Sequence, residues 1–172
     1  GFNCVELLWA SPTIGLELLR AAEQIGMPLV YQNLRRFGGM DLYESVCTSL
    51  STAGTGGFGI KNDSLAGYST TIQNIVTVFM ILFGVNFNIY YLILCKKVVN
   101  ALKNSELRVY LGILFGATLL VAINLQGMFG SFKADMQQSA FQVASVMTST
   151  GFITADYDLW PEFSKNILVL VM

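Results

Sequence analysis

Two glycine-rich stretches, STAGTGGFG at 51–59 (the first loop) and TSTGFIT at 148–154 (the second loop), hold the residues best suited to binding chemistry. Glycine lets the backbone adopt conformations that a Cβ would obstruct, so carbonyl groups in such loops can turn away from helical hydrogen bonding. Freed carbonyl oxygens can replace the hydration shell of a metal cation. The expected carbonyl donors are Thr55, Gly56 and Gly57 in the first loop, and Ser149, Thr150 and Gly151 in the second.

The two loops are parts of an internal repeat. An offset of 94 positions aligns Ser51, Thr55, Gly57, Phe58 and Leu65 with Ser145, Ser149, Gly151, Phe152 and Leu159. Because the aligned residues include both glycines and the aromatic residue after each glycine, the two stretches are expected to have the same backbone conformation. Phe58 and Phe152 are expected to anchor the loops from behind.

A short helix is predicted before each loop, and an apolar segment follows. The first short helix is expected from Asp41 to about Ser51, and the second from Asp135 to about Thr148. Asp41 and Glu44 have the spacing of a capping box, and Asp135 is the expected N-cap of the second helix.

The composition is that of a membrane protein. Of 172 residues, 53% are apolar and 12% are charged, and the mean hydropathy is +0.57. With a net charge of -1, the chain lacks the positive field that non-specific nucleic-acid binding requires. The absence of histidine from the sequence excludes Ser-His-Asp and Cys-His catalysis and the His-rich zinc sites of most metallohydrolases. We therefore expect neither an enzyme nor an organic cofactor in this chain.

Uncharged stretches of the chain are long enough to cross a bilayer as helices. Residues 72–95 would extend about 36 Å at about 1.5 Å per residue, and the hydrocarbon core is about 30 Å thick. Residues 109–129 are a second predicted span. Residues 166–172 begin a third, which stops after about two helical turns and is expected to continue. The basic stretch 96–108 predicts a cytoplasmic loop.

Three asparagines, Asn86, Asn88 and Asn124, interrupt the predicted spans. An amide without a partner is costly in hydrocarbon, so these side chains are expected to face the protein interior or a wet cavity. A hydrogen bond from one helix to another is the favoured role.

The loops cannot face lipid. Backbone that has left a helix at membrane depth exposes N–H and C=O groups that hydrocarbon cannot satisfy, so it must line water or ions. The C-terminal end of a short helix carries partial negative charge, which favours a cation in the following loop. Beyond the second loop, Asp156, Asp158 and Glu162 either form a vestibule that concentrates cations or are solvated acidic surface.

The glycines allow two other interpretations. Gly54, Gly56 and Gly59 match GxGxxG, but a dinucleotide site requires a preceding strand, a following helix and an acidic residue about 20 positions later. Here IKNDSLAGYS follows, and the position 20 beyond Gly59 is Phe79 in a predicted span. A plain glycine-rich connector is also possible, although recurrence of the arrangement after 94 positions counts against it.

The stretches STAGTGGFGIKNDSLAGYS, FGVNFNIYYLIL and AFQVASVMTSTGFITADYDLWPEFS closely resemble the Trk/Ktr superfamily of potassium transporters, specifically the Trk-type transmembrane subunit. The resemblance covers about residues 38–172 and places the two loops as the second and third of four filter regions around one potassium pathway. It implies that Gly57 and Gly151 are filter glycines. It also implies a homodimer in a bacterial cell membrane and a cytoplasmic nucleotide-binding ring as regulatory partner.

These observations predict an all-α integral membrane protein built from repeats of membrane helix, pore helix and membrane helix with re-entrant filter loops. Residues 1–37 are an atypical segment with an amphipathic helix near 13–25. Residues 38–95 hold one pore helix, loop and membrane helix, and 96–108 form the cytoplasmic loop. Residues 109–172 hold a membrane helix, pore helix, loop and the beginning of another membrane helix.

The expected function is passive potassium uptake through a carbonyl-lined selectivity filter, with K⁺ as the transported ion. The alternative is a non-conducting membrane scaffold or interaction subunit in which the glycine loops pack helices. Bulky replacements of the loop glycines separate the two, because they should alter ion choice in the first case and only folding in the second.

Overall fold

The computed structural model describes residues 28–86, 89–90 and 104–172, and every regular element within them is a helix. The predicted helix near 13–25, most of the loop at 96–108, and Asn88 lie outside the described residues. The helices are α1 (28–36), α2 (Leu42–Ala53), α3 (Thr70–Phe83), α4 (Ser105–Asn124), α5 (Phe132–Met147) and α6 (Glu162–Val171), with a short 3₁₀ helix at Tyr157–Leu159.

Helix α5 lies at the centre of the packing and contacts α3, α4 and α6. Its fully buried Phe141 belongs to a core shared with α1 and α3, which includes Val30 and Val76. Its Val143 belongs to a second core with Val121 of α4 and Leu168 of α6. The apolar cores therefore hold α5 on both sides, and this fixes the position from which the second loop starts.

The predicted short helices are present as α2 and α5, but their N-termini differ from the expectation. Asp41 is the N-cap of α2 and makes no side-chain capping bond, so the predicted capping box is wrong. Helix α5 begins three residues earlier than expected, because Ser131 caps it by accepting from Ala134 N (3.3 Å). Asp135 is instead fully buried in the first turn of α5.

Asp135 connects the turn before α5 to the first turn of that helix. Its carboxylate oxygens accept from the backbone N–H of Gly127 (2.9 Å) and of Phe129 (3.0 Å). A carboxylate that satisfies two backbone donors makes strong, charge-assisted hydrogen bonds. The side chain therefore links the end of α4 to the start of α5.

Among the described residues, α4 is the one helix long and apolar enough to cross a membrane. It ends at Asn124 and not at 129, and the Asn124 amide donates to Ser164 Oγ of α6 (2.8 Å), a helix-to-helix hydrogen bond of the predicted kind. The expectation of one continuous helix over 72–95 is wrong. Helix α3 ends at Phe83 with Gly84 as its C-cap, and a turn follows.

Asp135→Ala is expected to lower the free energy of unfolding by about 1.5–3 kcal/mol, because two backbone donors lose their charged acceptor. The equivalent change in the first repeat, Asp41→Ala, removes an exposed side chain without a capping bond and is the matched control. Thermal unfolding midpoints of the purified variants measure the difference. Equal midpoints for the two variants would contradict the assigned role of Asp135.

Candidate ion-binding site

Helices α2 and α5 end in the same hydrogen-bond pattern, shifted by 94 positions. In both, the first N–H groups of the loop donate back to carbonyls of the last helical turn. The equivalent bonds are Gly54 N to Leu50 O (2.9 Å), Gly56 N to Ser51 O (2.8 Å), Thr148 N to Ala144 O (3.0 Å) and Thr150 N to Ser145 O (2.9 Å). The N–H groups of residues 54–56 and 148–151 are thus bonded to the helix end, and the carbonyls of the loops can serve a ligand.

The backbone of both loops enters the left-handed region at the same two positions. Thr55 has φ 47° and Gly57 has φ 67°, and their equivalents Ser149 and Gly151 have φ 56° and 82°. A left-handed residue with a Cβ costs about 1–2 kcal/mol, and such strain is concentrated at functional sites. The recurrence at Thr55 and Ser149 therefore indicates a backbone shape that is maintained in both repeats.

The structure brings the two loops together. Gly57 lies directly against the Thr150 carbonyl and Gly151, and a Cβ at Gly57 would overlap the Thr150 carbonyl oxygen. Beyond the loops, Leu65 N donates to Ile153 O (3.0 Å), and Ile153 N donates to Ser64 Oγ (3.2 Å). The expected donor residues of the first loop, Thr55 to Gly57, and of the second, Ser149 to Gly151, are therefore neighbours.

The two phenylalanines differ in their surroundings. Phe152 is fully buried in the core, and its carbonyl accepts from Ser145 Oγ (2.7 Å). Phe58 is 81% exposed and lines a surface cleft, so it does not anchor its loop in this structure. Ser51 Oγ, the counterpart of Ser145 Oγ, is buried without a hydrogen-bond partner among the described residues.

A polar network that the sequence analysis missed ties the loops to the helices. Gln73 of α3 donates to Leu65 O (3.1 Å), and its side-chain oxygen faces the amide of Gln138 of α5 (3.4 Å). Thr154, after the second loop, donates to Gln138 Oε1 (2.6 Å). Glutamines within or beside apolar helices were the available signal, because buried amides need partners.

Space remains open beside each loop. A cleft of about 510 Å³ is lined by Ser149 and Gly151 together with residues of α6. Another cleft of about 640 Å³ is lined by Gly56, Phe58 and Cys47. The loops thus touch each other on one side and border open clefts on the other.

Acidic residues lie on the surface beyond the second loop. Asp156 and Asp158 are exposed, and the Asp156 carboxylate accepts from Asp158 N (3.0 Å). Glu162 forms an ion pair with Lys165 (3.2 Å), so part of the predicted acidic charge is neutralised. Beyond the first loop, burial and then the neighbouring Glu44 carboxylate raise the pKa of Tyr68 to about 12.

Comparison with known proteins identifies the family. The family model TrkH, described as a cation transport protein, matches residues 20–172. The chain belongs to the TrkH family. The Trk system potassium uptake protein TrkG of Escherichia coli is 29% identical over 142 residues, which cover 78% of this chain and 28% of TrkG. TrkH of the same organism, also named a Trk system potassium uptake protein, is 28% identical over 138 residues.

The fold is also similar to that of a solved TrkH-family structure. The crystal structure of the potassium transporter TrkH from Vibrio parahaemolyticus matches with a TM-score of 0.76 and 24% identity. The match covers 97% of this chain and 35% of that chain. The predicted family and the all-α membrane fold are thereby confirmed. The chain spans 28% of the length of the two curated relatives from E. coli.

Gly57→Ala is expected to destabilise the protein more than Gly151→Ala does. Both changes place a Cβ on left-handed backbone, which costs about 1–2 kcal/mol. At Gly57 the Cβ also overlaps the Thr150 carbonyl, whereas no atom lies within 4 Å of a Cβ at Gly151. Overpacking of this kind adds about 1–3 kcal/mol. Thermal unfolding midpoints of the two variants test the contact between the loops, and a larger loss for Gly151→Ala would contradict it.

Proposed function

We propose that this TrkH-family chain contributes to potassium uptake across the cell membrane, and that the carbonyls of residues 55–57 and 149–151 form two sides of a selectivity filter. The main support is that two short helices end in loops with left-handed backbone conformations at equivalent residues, and that these loops contact each other at Gly57 and Thr150. Carbonyl oxygens presented by such loops suit a cation that sheds its water. The expected transport involves no covalent chemistry.

The electrostatics of the helix ends support a cation at this place. The C-terminal end of a helix carries roughly half a negative charge, and both α2 and α5 end where their loop begins. The exposed carboxylates of Asp156 and Asp158 add negative charge on the surface beyond the second loop. A cation is thereby attracted first to the surface and then to the loop carbonyls.

The proposed setting is a multi-pass protein in the lipid bilayer of a bacterial cell membrane. Helix α4 is long and apolar enough to serve as a membrane span, and the basic stretch 96–108 before it favours a cytoplasmic position for that end. Units 38–95 and 109–172 are then successive repeats with their loops side by side.

The assembly we propose for the whole transporter extends beyond this chain. Two loops provide two sides of a pathway, and the resemblance to Trk-type subunits supports four filter regions around one pathway. It also supports a homodimer with a cytoplasmic nucleotide-binding ring as regulatory partner. The names of the E. coli relatives, Trk system potassium uptake proteins, agree with a transporter that works as part of a larger system.

Gly151→Ser in the protein expressed from its complete gene is expected to lower the preference for K⁺ over Na⁺ by about 10-fold or more, because a misplaced carbonyl ligand loses on the order of 1.4 kcal/mol. Growth of uptake-deficient bacteria on low K⁺ and the initial uptake rates of K⁺ and Na⁺ measure the effect. Gly130→Ser is the matched control, because Gly130 has the same φ of 82° and equally open surroundings.

The scaffold alternative makes the opposite prediction for the same pair. If the glycines only pack helices, Gly151→Ser and Gly130→Ser reduce protein amount alike and leave the K⁺ to Na⁺ ratio unchanged. That outcome would refute the filter assignment.

A further inference from the structure

Helix α3 ends inside an apolar stretch, and two tyrosine hydroxyls bind the carbonyls near its end. Tyr110 of α4 donates to Ile81 O (3.1 Å), and Tyr90 donates to Leu82 O. Leu82 O also accepts from Val85 N (3.1 Å), whereas a carbonyl such as Ile81 O that a helix end leaves without a backbone donor needs a partner of this kind at membrane depth. The end of α3 at Phe83 is therefore supported by side chains from outside the helix.

Gly84 follows directly and brings this helix end against the second loop. Its φ of -72° and ψ of -11° are ordinary helical values, so the backbone conformation does not require glycine. The neighbouring side chains do require glycine, because a Cβ at Gly84 would lie 2.5 Å from Tyr110 Oη and 2.6 Å from Thr148 Cγ2. Three segments, the end of α3, α4 and the start of the second loop, thus meet at one glycine.

Thr148 connects Gly84 to the second loop. Its hydroxyl donates to Ala144 O (2.7 Å), so the 2.7 Å contact with Thr150 Oγ1 is a hydrogen bond that Thr150 donates. Thr150 is buried, and its carbonyl is the group that lies against Gly57. A continuous chain of contacts therefore runs from Tyr110 to the place where the two loops meet.

The first loop has no equivalent of this chain. The positions that correspond to Thr148 and Thr150 are Gly54 and Gly56, which have no side chains. The two loops share a backbone shape, but side chains support only the second in this way. The second loop is thus the one whose position depends on the end of α3.

We infer that Tyr110, Gly84 and Thr148 form a brace that positions the Thr150 carbonyl, and that Tyr110 is a positioning residue for ion selectivity. The inference rests on the proposed filter function. Tyr110 acts through Thr148 and the end of α3 and does not touch the ion. Loss of the brace shifts the carbonyls of the second loop relative to Gly57, and selectivity falls because it depends on the placement of those oxygens.

The test uses the protein from its complete gene, purified and placed in lipid vesicles, and the readout is the ratio of initial K⁺ and Na⁺ uptake rates. Tyr110→Phe keeps the ring and removes the hydroxyl, and we expect it to lower the ratio about 2- to 10-fold. Gly84→Ala should lower it by at least about as much, because its Cβ displaces Tyr110 or Thr148. Tyr31→Phe and Gly112→Ala, a tyrosine bonded to Arg35 and a helical glycine in open space, should retain the wild-type ratio.

A rescue separates positioning from general damage. Serine at position 148 lacks the methyl group that a Cβ at Gly84 would meet but keeps the hydroxyl that Thr150 donates to. The double variant Gly84→Ala with Thr148→Ser should therefore regain part of the ratio lost in Gly84→Ala. If Gly84→Ala does not fold, Tyr110→Phe alone decides the question.

Gly151→Ser, measured beside these variants, distinguishes the two possible failures. If Gly151→Ser lowers the ratio while Tyr110→Phe retains the wild-type value, the filter stands and the brace is overturned. If Gly151→Ser also retains the wild-type ratio, the filter assignment fails and the brace fails with it. A lower ratio in Tyr110→Phe with wild-type values in both controls supports the brace.

Discussion

The structure depends on one constraint, that backbone polar groups which leave a helix at membrane depth must find partners other than lipid. At the ends of α2 and α5 the N–H groups of residues 54–56 and 148–151 bond back to the helix. The loop carbonyls are then available for a ligand. Near the end of α3 the hydroxyls of Tyr90 and Tyr110 donate to the carbonyls of Leu82 and Ile81. The first arrangement suits the proposed cation site, and the second supplies donors at a helix end.

The repeat is preserved in the backbone and altered in the side chains. Thr55 and Ser149 hold the same left-handed conformation. Yet Phe152 is buried whereas its counterpart Phe58 is 81% exposed. The second loop packs against the core and makes hydroxyl hydrogen bonds. The first loop contacts the second through the backbone of Gly57, which has no side chain. The two loops share a backbone conformation but not the side-chain contacts that support it. A mutation near the second loop can therefore remove contacts that the first loop does not have.

Much of this organisation could be predicted from residue types, because the loops, their 94-residue offset and the apolar segments are local properties of the sequence. The end of α3 could not be predicted, since nothing in the sequence distinguishes Gly84 from an ordinary glycine within an apolar segment. The hydroxyl that binds the carbonyl of Ile81 near this end comes from a distant segment, at Tyr110. The predicted start of α5 differs from the observed one because Asp135 resembles an N-cap but accepts from the preceding turn. The contact of Gly57 with Thr150 is likewise tertiary and leaves no local pattern.

If the loop carbonyls at 55–57 and 149–151 hold a dehydrated cation, as we propose, anomalous scattering should reveal it. Crystals of the protein from its complete gene, grown with Rb⁺ or Tl⁺ in place of K⁺, would locate the ion. We expect an anomalous peak between the two loops, within coordination distance of their carbonyl oxygens. Peaks confined to the exposed carboxylates of Asp156 and Asp158, with none at the loops, would contradict it.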